Sequence, residues 1–197
     1  MARTATLLGV AAVLLAGLPV MAGKGGPADI ARRLAKAREV ATDAGDRLRS
    51  EVNQILRSSG PLAGIGACQA AMPSIVQSAA ENSGFELTRT ALKLRNPEHA
   101  PDAWELKTLE LFVARIAAGA DVGKLEHHEV VVTSEGERQF RYMKAIPMGE
   151  PCLTCHGPDI RQDVRLEIAR TYHNDKAVGF KLGELRGAFS LSQFIDE

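Results

Sequence analysis

One short string constrains this 197-residue chain more than any other feature: CLTCHG at residues 152–157, two cysteines two residues apart with a histidine directly after them. Two thiols at this spacing can form thioethers to the two vinyl groups of one porphyrin, and the adjacent imidazole then lies under the iron. The fold must therefore leave room for a porphyrin beside the string. We expect one covalently attached haem c, bound by Cys152 and Cys155, with His156 as the proximal axial ligand.

Three other interpretations of the string are a structural disulfide, half of a zinc site, and chance. A zinc site needs a second pair of ligands at suitable spacing. The only other cysteine is Cys68, and no HxxxH pattern follows the string. The haem interpretation is therefore favoured.

The N-terminus is typical of an exported protein. Arg3 gives a short positive region, an apolar run covers residues 7–18, and residues 20–22 have the small-x-small form of a signal peptidase site. We expect residues 1–22 to be a signal peptide cleaved after Ala22, and the mature protein to be periplasmic. The alternative is an uncleaved membrane anchor, but the apolar run is short for a bilayer span and Pro19 interrupts it.

Composition favours one domain and gives little information about partners. Removal of the signal peptide leaves residues 23–197, which is enough for one domain with a core but short for two. The full chain has 24 basic and 24 acidic residues, and its lysines and arginines are not clustered. This distribution argues against binding to nucleic acid or, after cleavage of the signal peptide, to a membrane.

The first part of the mature chain predicts two helices. Over residues 29–57, apolar residues recur at helical spacing beside a charged face, which is either solvated or a contact in a homodimer. The sequence SSGP at residues 58–61 ends this helix and begins a second one over residues 62–80. Cys68 shares one stripe of the second helix with apolar residues, so we expect it to face the core.

The rest of the chain predicts both strands and helices. The strand-like segments are residues 85–94, 125–133, 138–146 and 183–194, of which the middle two form a hairpin. Helices are predicted from Asp102 to about Gly119 and over residues 163–172. This pattern indicates an α+β fold with an antiparallel sheet and flanking helices. A four-helix cytochrome of the c-prime type also carries its haem motif late in the chain, but it does not suit strands on both sides of the motif.

Several segments, in the same order, resemble the Tll-like periplasmic c-type haem domain family. They are LKLRNPEHAPDAWE (residues 92–105), FRYMKAIPM (140–148), CLTCHG (152–157) and DKAVGFKLGELRGAFSL (175–191), with Cys68 upstream. The resemblance covers residues 62–191. It implies a PAS-like c-haem domain at residues 61–197, preceded by an amphipathic helix and linker at residues 23–60.

The resemblance also implies a second axial ligand. In this family a cysteine from an upstream helix is the other ligand of the iron, and by position it corresponds to Cys68. The metal ligands are then His156 and Cys68. From the residues alone the assignment stays open, because a buried cysteine is most often a small apolar residue. The competing ligands are Met72, Met143, Met148, His127, His128 and His173.

The family is described as a periplasmic haem sensor, so we expect a redox or small-molecule (gas) sensor that acts through a separate redox or signalling partner. Thiolate binds ferric iron better than ferrous iron, and reduction could therefore release Cys68. A soluble electron-transfer cytochrome is the alternative. We expect no enzyme activity, because an iron with six ligands has no vacant position for a substrate. Candidate partners of the haem propionates are Arg95, Arg141, Lys144 and Lys176.

Overall fold

The computed structural model describes residues 25–195, apart from the side chains of Ala67, Cys68, Ala71, Met72, Ala80 and Asn82. The signal peptide predicted at residues 1–22 lies outside the described residues. Over residues 25–195, no helix combines the length and the hydropathy that a membrane span requires.

The described chain begins with a long helix that folds back on itself. Helix α1 extends over Pro27–Ser83 and is interrupted at Gly60, where φ is 76° and ψ is 179°. The two halves lie side by side, since Arg47 of the first half donates a hydrogen bond to the Ser78 hydroxyl of the second at 3.3 Å. Glycine adopts this positive φ without strain, and a proline directly after it suits the start of a helix. The two predicted helices and the break between them are confirmed.

Four antiparallel strands form one sheet in the order β1-β4-β3-β2. The strands are β1 (Glu86–Thr90), β2 (Glu126–Val132), β3 (Arg138–Pro147) and β4 (Leu185–Phe194). The predicted hairpin of β2 and β3 is confirmed. β1 ends earlier than predicted because the residues after it leave the sheet, and Leu94 instead accepts a hydrogen bond from the Lys176 backbone.

The remaining α-helices of the described chain are α2 (Ala103–Ala117), α3 (Glu150–His156) and α4 (Gln162–Thr171). α2 begins with a capping box, in which the Asp102 carboxylate accepts from the Glu105 backbone and the Glu105 carboxylate accepts from the Asp102 backbone. The predictions of α2 and α4 are confirmed. The sequence patterns did not predict α3, which carries CLTCHG.

Helices cover both faces of the sheet. On one face, Leu87, Tyr142 and Leu191 pack with small residues of α1 such as Ala41. On the other face, the α2 residues Leu109 and Phe112 pack against Met143 and Ala188. Successive side chains of a strand point to opposite faces, which explains why Tyr142 and Met143 lie in different clusters. The predicted α+β class, with an antiparallel sheet and a long N-terminal helix, is confirmed.

Candidate cofactor site

A large cavity lies between α1, the sheet and α3. Its volume is about 1010 Å³, which is at the upper end of the roughly 300–1000 Å³ of typical cofactor sites. Both halves of α1 line it, and so do Cys152, Cys155 and His156. The three side chains predicted to bind a haem therefore border one space that can accept a large ligand.

The local sequence explains how α3 presents these side chains. Pro151 lies in the first turn of α3, where its fixed φ suits a helix start. Cys152 and Cys155 are three residues apart and thus share one helix face. The helix ends at Gly157, whose amide donates to the Leu153 carbonyl at 2.8 Å. A Cβ at residue 157 would lie only 2.6 Å from that carbonyl oxygen, so glycine is required there.

The imidazole of His156 is oriented by one backbone carbonyl. Its Nδ1 lies 2.6 Å from the Ala177 oxygen, so Nδ1 carries the proton and donates, and Nε2 keeps a lone pair that can bind a metal. Burial, together with the charges of Arg186 and Arg95, holds the pKa of His156 well below its ordinary value. The ring is therefore in the neutral form that ligates metals.

The segment of residues 175–180, which we call the His156 loop, is tied to α3 by Arg95. The Arg95 guanidinium forms an ion pair with Asp175 at 3.1 Å and donates to the Cys155 carbonyl at 2.5 Å. Asp175 in turn accepts from the Ala177 amide at 2.8 Å. Arg95 was predicted to pair with a propionate, but in the described structure its carboxylate partner is Asp175. Its contacts set the position of the carbonyl that orients His156.

Four guanidinium groups line the cavity: Arg49 on α1, Arg89 on β1, Arg95 after β1, and Arg186 on β4. Arg49 is exposed and pairs with Asp46 one turn away, so it differs from the other three. Arg186 is only 7% exposed. Its Nη1 lies 3.4 Å from the Lys93 carbonyl, and its Nε has no hydrogen-bond partner within the described residues. Burial, followed by repulsion from Arg89 and Arg95, lowers the pKa of Arg186 to about 9.

Three residues that no sequence pattern predicts as site residues also line the cavity: Arg89, His99 and Arg186. The one available signal was a charged residue in the apolar run of β4, at Arg186. Its proximity to Arg89 follows from the pairing of β1 with β4, in which Arg89 lies opposite Phe189. The proximity of Arg89 to Arg186 can therefore be predicted only when the order of the strands is known.

Most other candidates lie elsewhere. Met143 belongs to the cluster under α2, and Met148 packs with Phe180 on the His156 loop. Five of the candidates for the second axial ligand have described side chains that do not line the cavity: Met143, Met148, His127, His128 and His173.

Of the predicted propionate partners, Lys144 lines the cavity but donates to the Gly123 carbonyl at 2.9 Å. Arg141 forms an ion pair with Asp102 at 2.7 Å and does not line the cavity. Lys176 is exposed and does not line it either.

Cys68 lies in the second half of α1, between Ile65 and Gln69, and both of these neighbours line the cavity. The side chain of Cys68 is outside the described ones. Its role as the second axial ligand therefore stays a prediction.

Comparisons with known proteins agree with this fold. The sequence profile of the Tll0287-like family matches residues 28–193. The crystal structure of the cyanobacterial heme-protein Tll0287 is similar to this chain, with a TM-score of 0.59 and 20% sequence identity. The similarity covers 88% of this chain and 100% of that chain. Comparison with curated proteins gives no match.

Proposed function

This chain belongs to the Tll0287-like family, and from that premise we propose that it is a periplasmic mono-haem c-type cytochrome that acts as a redox or gas sensor. The observation that carries the proposal is the convergence of Cys152, Cys155 and His156 on one cavity of about 1010 Å³. The similar solved structure is described as a heme-protein. We place the protein in the periplasm because its N-terminus is typical of a cleaved signal peptide.

The residues present fit a haem of the c type. Cys152 and Cys155 would each add S–H across a vinyl C=C bond, which forms a C–S bond and places the hydrogen on the neighbouring carbon, so no oxidant is needed. His156 would offer Nε2 to the iron, because its Nδ1 is bonded to Ala177. Apolar side chains such as Ile65 and Phe189 line the cavity and limit the access of water. A bound haem supplies an iron that changes oxidation state and accepts diatomic ligands.

Sensing requires a second ligand whose affinity depends on the state of the iron. We propose Cys68 for this role, because thiolate binds ferrous iron less well than ferric iron. Ile65 lies one turn before Cys68 and packs against Val164 and Ile168 of α4. Release of Cys68 would therefore change the contacts between α1 and α4. A partner protein that contacts either helix could detect this change.

An electron carrier is the second candidate. Its support is the place of α3 near the surface: Cys152 and Cys155 are only partly buried, and Pro158 and Asp159, directly after the helix, are exposed. A porphyrin joined to the two cysteines would have an edge close to solvent, and electron transfer needs such an edge. Under this alternative, both axial ligands stay bound in both oxidation states.

Covalent attachment is tested first. The wild-type protein and the double variant Cys152→Ser/Cys155→Ser are expressed with export and haem-maturation machinery, then denatured in acid and organic solvent. We expect haem to stay on the wild type and to separate from the double variant, whereas Cys68→Ser, the matched thiol control, retains it. Separation of haem from the denatured wild type would contradict the proposal.

Optical and resonance Raman spectra of both oxidation states then distinguish the sensor from the carrier. For a sensor we expect loss of thiolate ligation upon reduction and binding of CO to the ferrous iron. Cys68→Ser should lack the thiolate signature in the ferric state. An unchanged six-coordinate spectrum upon reduction and under CO would favour the carrier. If the spectra of the wild type and Cys68→Ser are identical, Cys68 is not a ligand of the iron.

A further inference from the structure

Arg186 is a buried cation for which the described chain provides no carboxylate. It is 7% exposed, and none of the ion pairs among the described residues includes it. Its Nε has no hydrogen-bond partner among those residues, and its contact with the Lys93 carbonyl is long at 3.4 Å. The Phe180 ring, 5.6 Å from the Arg186 guanidinium, gives a cation–π contact but no negative charge. A buried cation without a carboxylate partner is strongly unfavourable. This arrangement indicates that an anion completes the site.

The surroundings of Arg186 increase the need for that anion. Arg89 and Arg95 both repel its charge. Arg95 is itself paired with Asp175, at 3.1 Å. Asp175 contributes some attraction to Arg186 but makes no ion pair with it among the described contacts. Arg186 therefore lies in a positive region whose local carboxylate is already bound to another guanidinium.

The position of Arg186 points to the kind of anion. Arg186 lines the same cavity as Cys152, Cys155 and His156. It is close enough to Cys152 and to His156 for electrostatic interaction with both. A porphyrin joined to the two cysteines would occupy this cavity, and the anionic groups of haem are its two propionate carboxylates. Guanidinium groups suit such carboxylates because they can donate two parallel hydrogen bonds.

We propose that Arg186, with Arg89 beside it, binds one propionate of the anchored haem. The inference rests on the proposed function. Other basic groups fit this role less well. Lys144 donates to a backbone carbonyl, Arg49 is exposed and pairs with Asp46, and Arg141 does not line the cavity. The carboxylate of the porphyrin thus replaces the counter-ion that the protein itself does not provide.

The test compares the holoprotein of the wild type with Arg186→Gln, Arg186→Lys and the control Arg170→Gln. Arg170 is an exposed arginine that pairs with Glu167 one turn away. The readouts are the propionate bending bands in resonance Raman spectra and the reduction potential. We expect Arg186→Gln to shift a propionate band and to lower the potential, because an uncompensated carboxylate stabilises ferric iron. Arg186→Lys should have a reduction potential close to that of the wild type, but its propionate band should stay shifted. Arg170→Gln should match the wild type in both measurements.

Two further measurements keep the test decisive if Arg186→Gln does not fold. Infrared spectra of wild-type holoprotein with ¹³C-labelled propionates should show one carboxylate in a charged hydrogen bond, and that band should move in Arg186→Lys. Titration of the wild type with inorganic phosphate at constant ionic strength should leave the potential unchanged. A saturable shift that Arg186→Lys weakens would instead show that Arg186 binds a diffusible oxyanion, which overturns the inference.

The remaining outcomes separate this inference from the proposed function. If haem is covalently bound but the propionate bands and the reduction potential are the same in the wild type and Arg186→Gln, the role of Arg186 is overturned. The proposed function would be unaffected by that result. Two carboxylate bands that both correspond to solvent-exposed propionates would also overturn the role of Arg186. A wild type without covalent haem would overturn both proposals.

Discussion

The imidazole Nδ1 of His156 lies 2.6 Å from the carbonyl oxygen of Ala177, 21 residues further along the chain. This contact joins the end of α3 to the His156 loop. Phe180 of the same loop donates its backbone N–H to the His156 carbonyl at 3.0 Å. Both the ring and the backbone of the proposed axial ligand are therefore positioned by one loop, and the stability of that loop affects the geometry at the metal.

Arg95→Gln is expected to loosen this loop. The substitution leaves the buried carboxylate of Asp175 without its ion pair, which costs about 3 kcal/mol for a buried pair. Urea denaturation measures this loss, and the ferric optical spectrum reports the altered orientation of His156. The exposed control Arg170→Gln should change stability by less than about 0.5 kcal/mol. If Arg95→Gln keeps the stability and the ferric spectrum of the wild type, Arg95 does not hold the His156 loop in place.

Gly187→Ala is expected to disturb the edge of the sheet beside Arg186. A Cβ on Gly187 would lie 2.4 Å from the Thr90 carbonyl oxygen, so β1 and β4 would have to separate. We expect a loss of at least about 2 kcal/mol, measured by thermal or urea denaturation. Gly66→Ala is the matched control, because a Cβ on Gly66 has open space and alanine is the better helix former. Equal effects of the two substitutions would contradict the close packing at Gly187.

Arg141→Met is expected to lower stability without changing the haem spectrum. Arg141 lies 4.4 Å from the centre of the Trp104 ring and pairs with Asp102 at 2.7 Å, on the side of the molecule that does not line the cavity. Loss of these contacts should cost roughly 1–3 kcal/mol in thermal denaturation. Arg141→Lys keeps the charge but loses the planar contact, so we expect an intermediate value. A shifted propionate band in Arg141→Met would show that Arg141 reaches the haem after all.

Glu126 is expected to make stability depend on pH. Hydrogen bonds from Arg38, opposed in part by burial and aided by the Tyr142 hydroxyl, lower the pKa of Glu126 below its ordinary value. A carboxyl whose folded pKa is lowered stabilises the protein above its unfolded pKa, and this stabilisation is lost as pH falls through the folded pKa.

We therefore expect Glu126→Gln to cost on the order of 1 kcal/mol at neutral pH. The cost should begin to fall near the ordinary pKa of glutamate, 4.5, and disappear only below the lowered folded pKa. Denaturation curves of both proteins across this pH range measure the difference. A cost that is constant with pH would mean that the charge of Glu126 contributes nothing.

Much of the local structure could be predicted because its determinants are close together in the chain. The break in α1 follows from Gly60 and Pro61, and the start of α2 follows from the reciprocal bonds of Asp102 and Glu105. The length of β1 could not be predicted in this way. It depends on the bond between Leu94 and Lys176, two residues that come together only in the folded chain.

The chemistry of CLTCHG is likewise local, since two thiols and an imidazole within five residues limit what the string can bind. The sequence alone therefore determined the expected cofactor and the helical and strand periodicities. The surroundings of that cofactor were decided by the tertiary structure. Arg186 lies in the cavity with Arg89 because β4 pairs with β1, and Ala177 reaches His156 because the intervening chain returns to α3. Such contacts depend on the burial and pairing of the whole chain, which no short segment encodes.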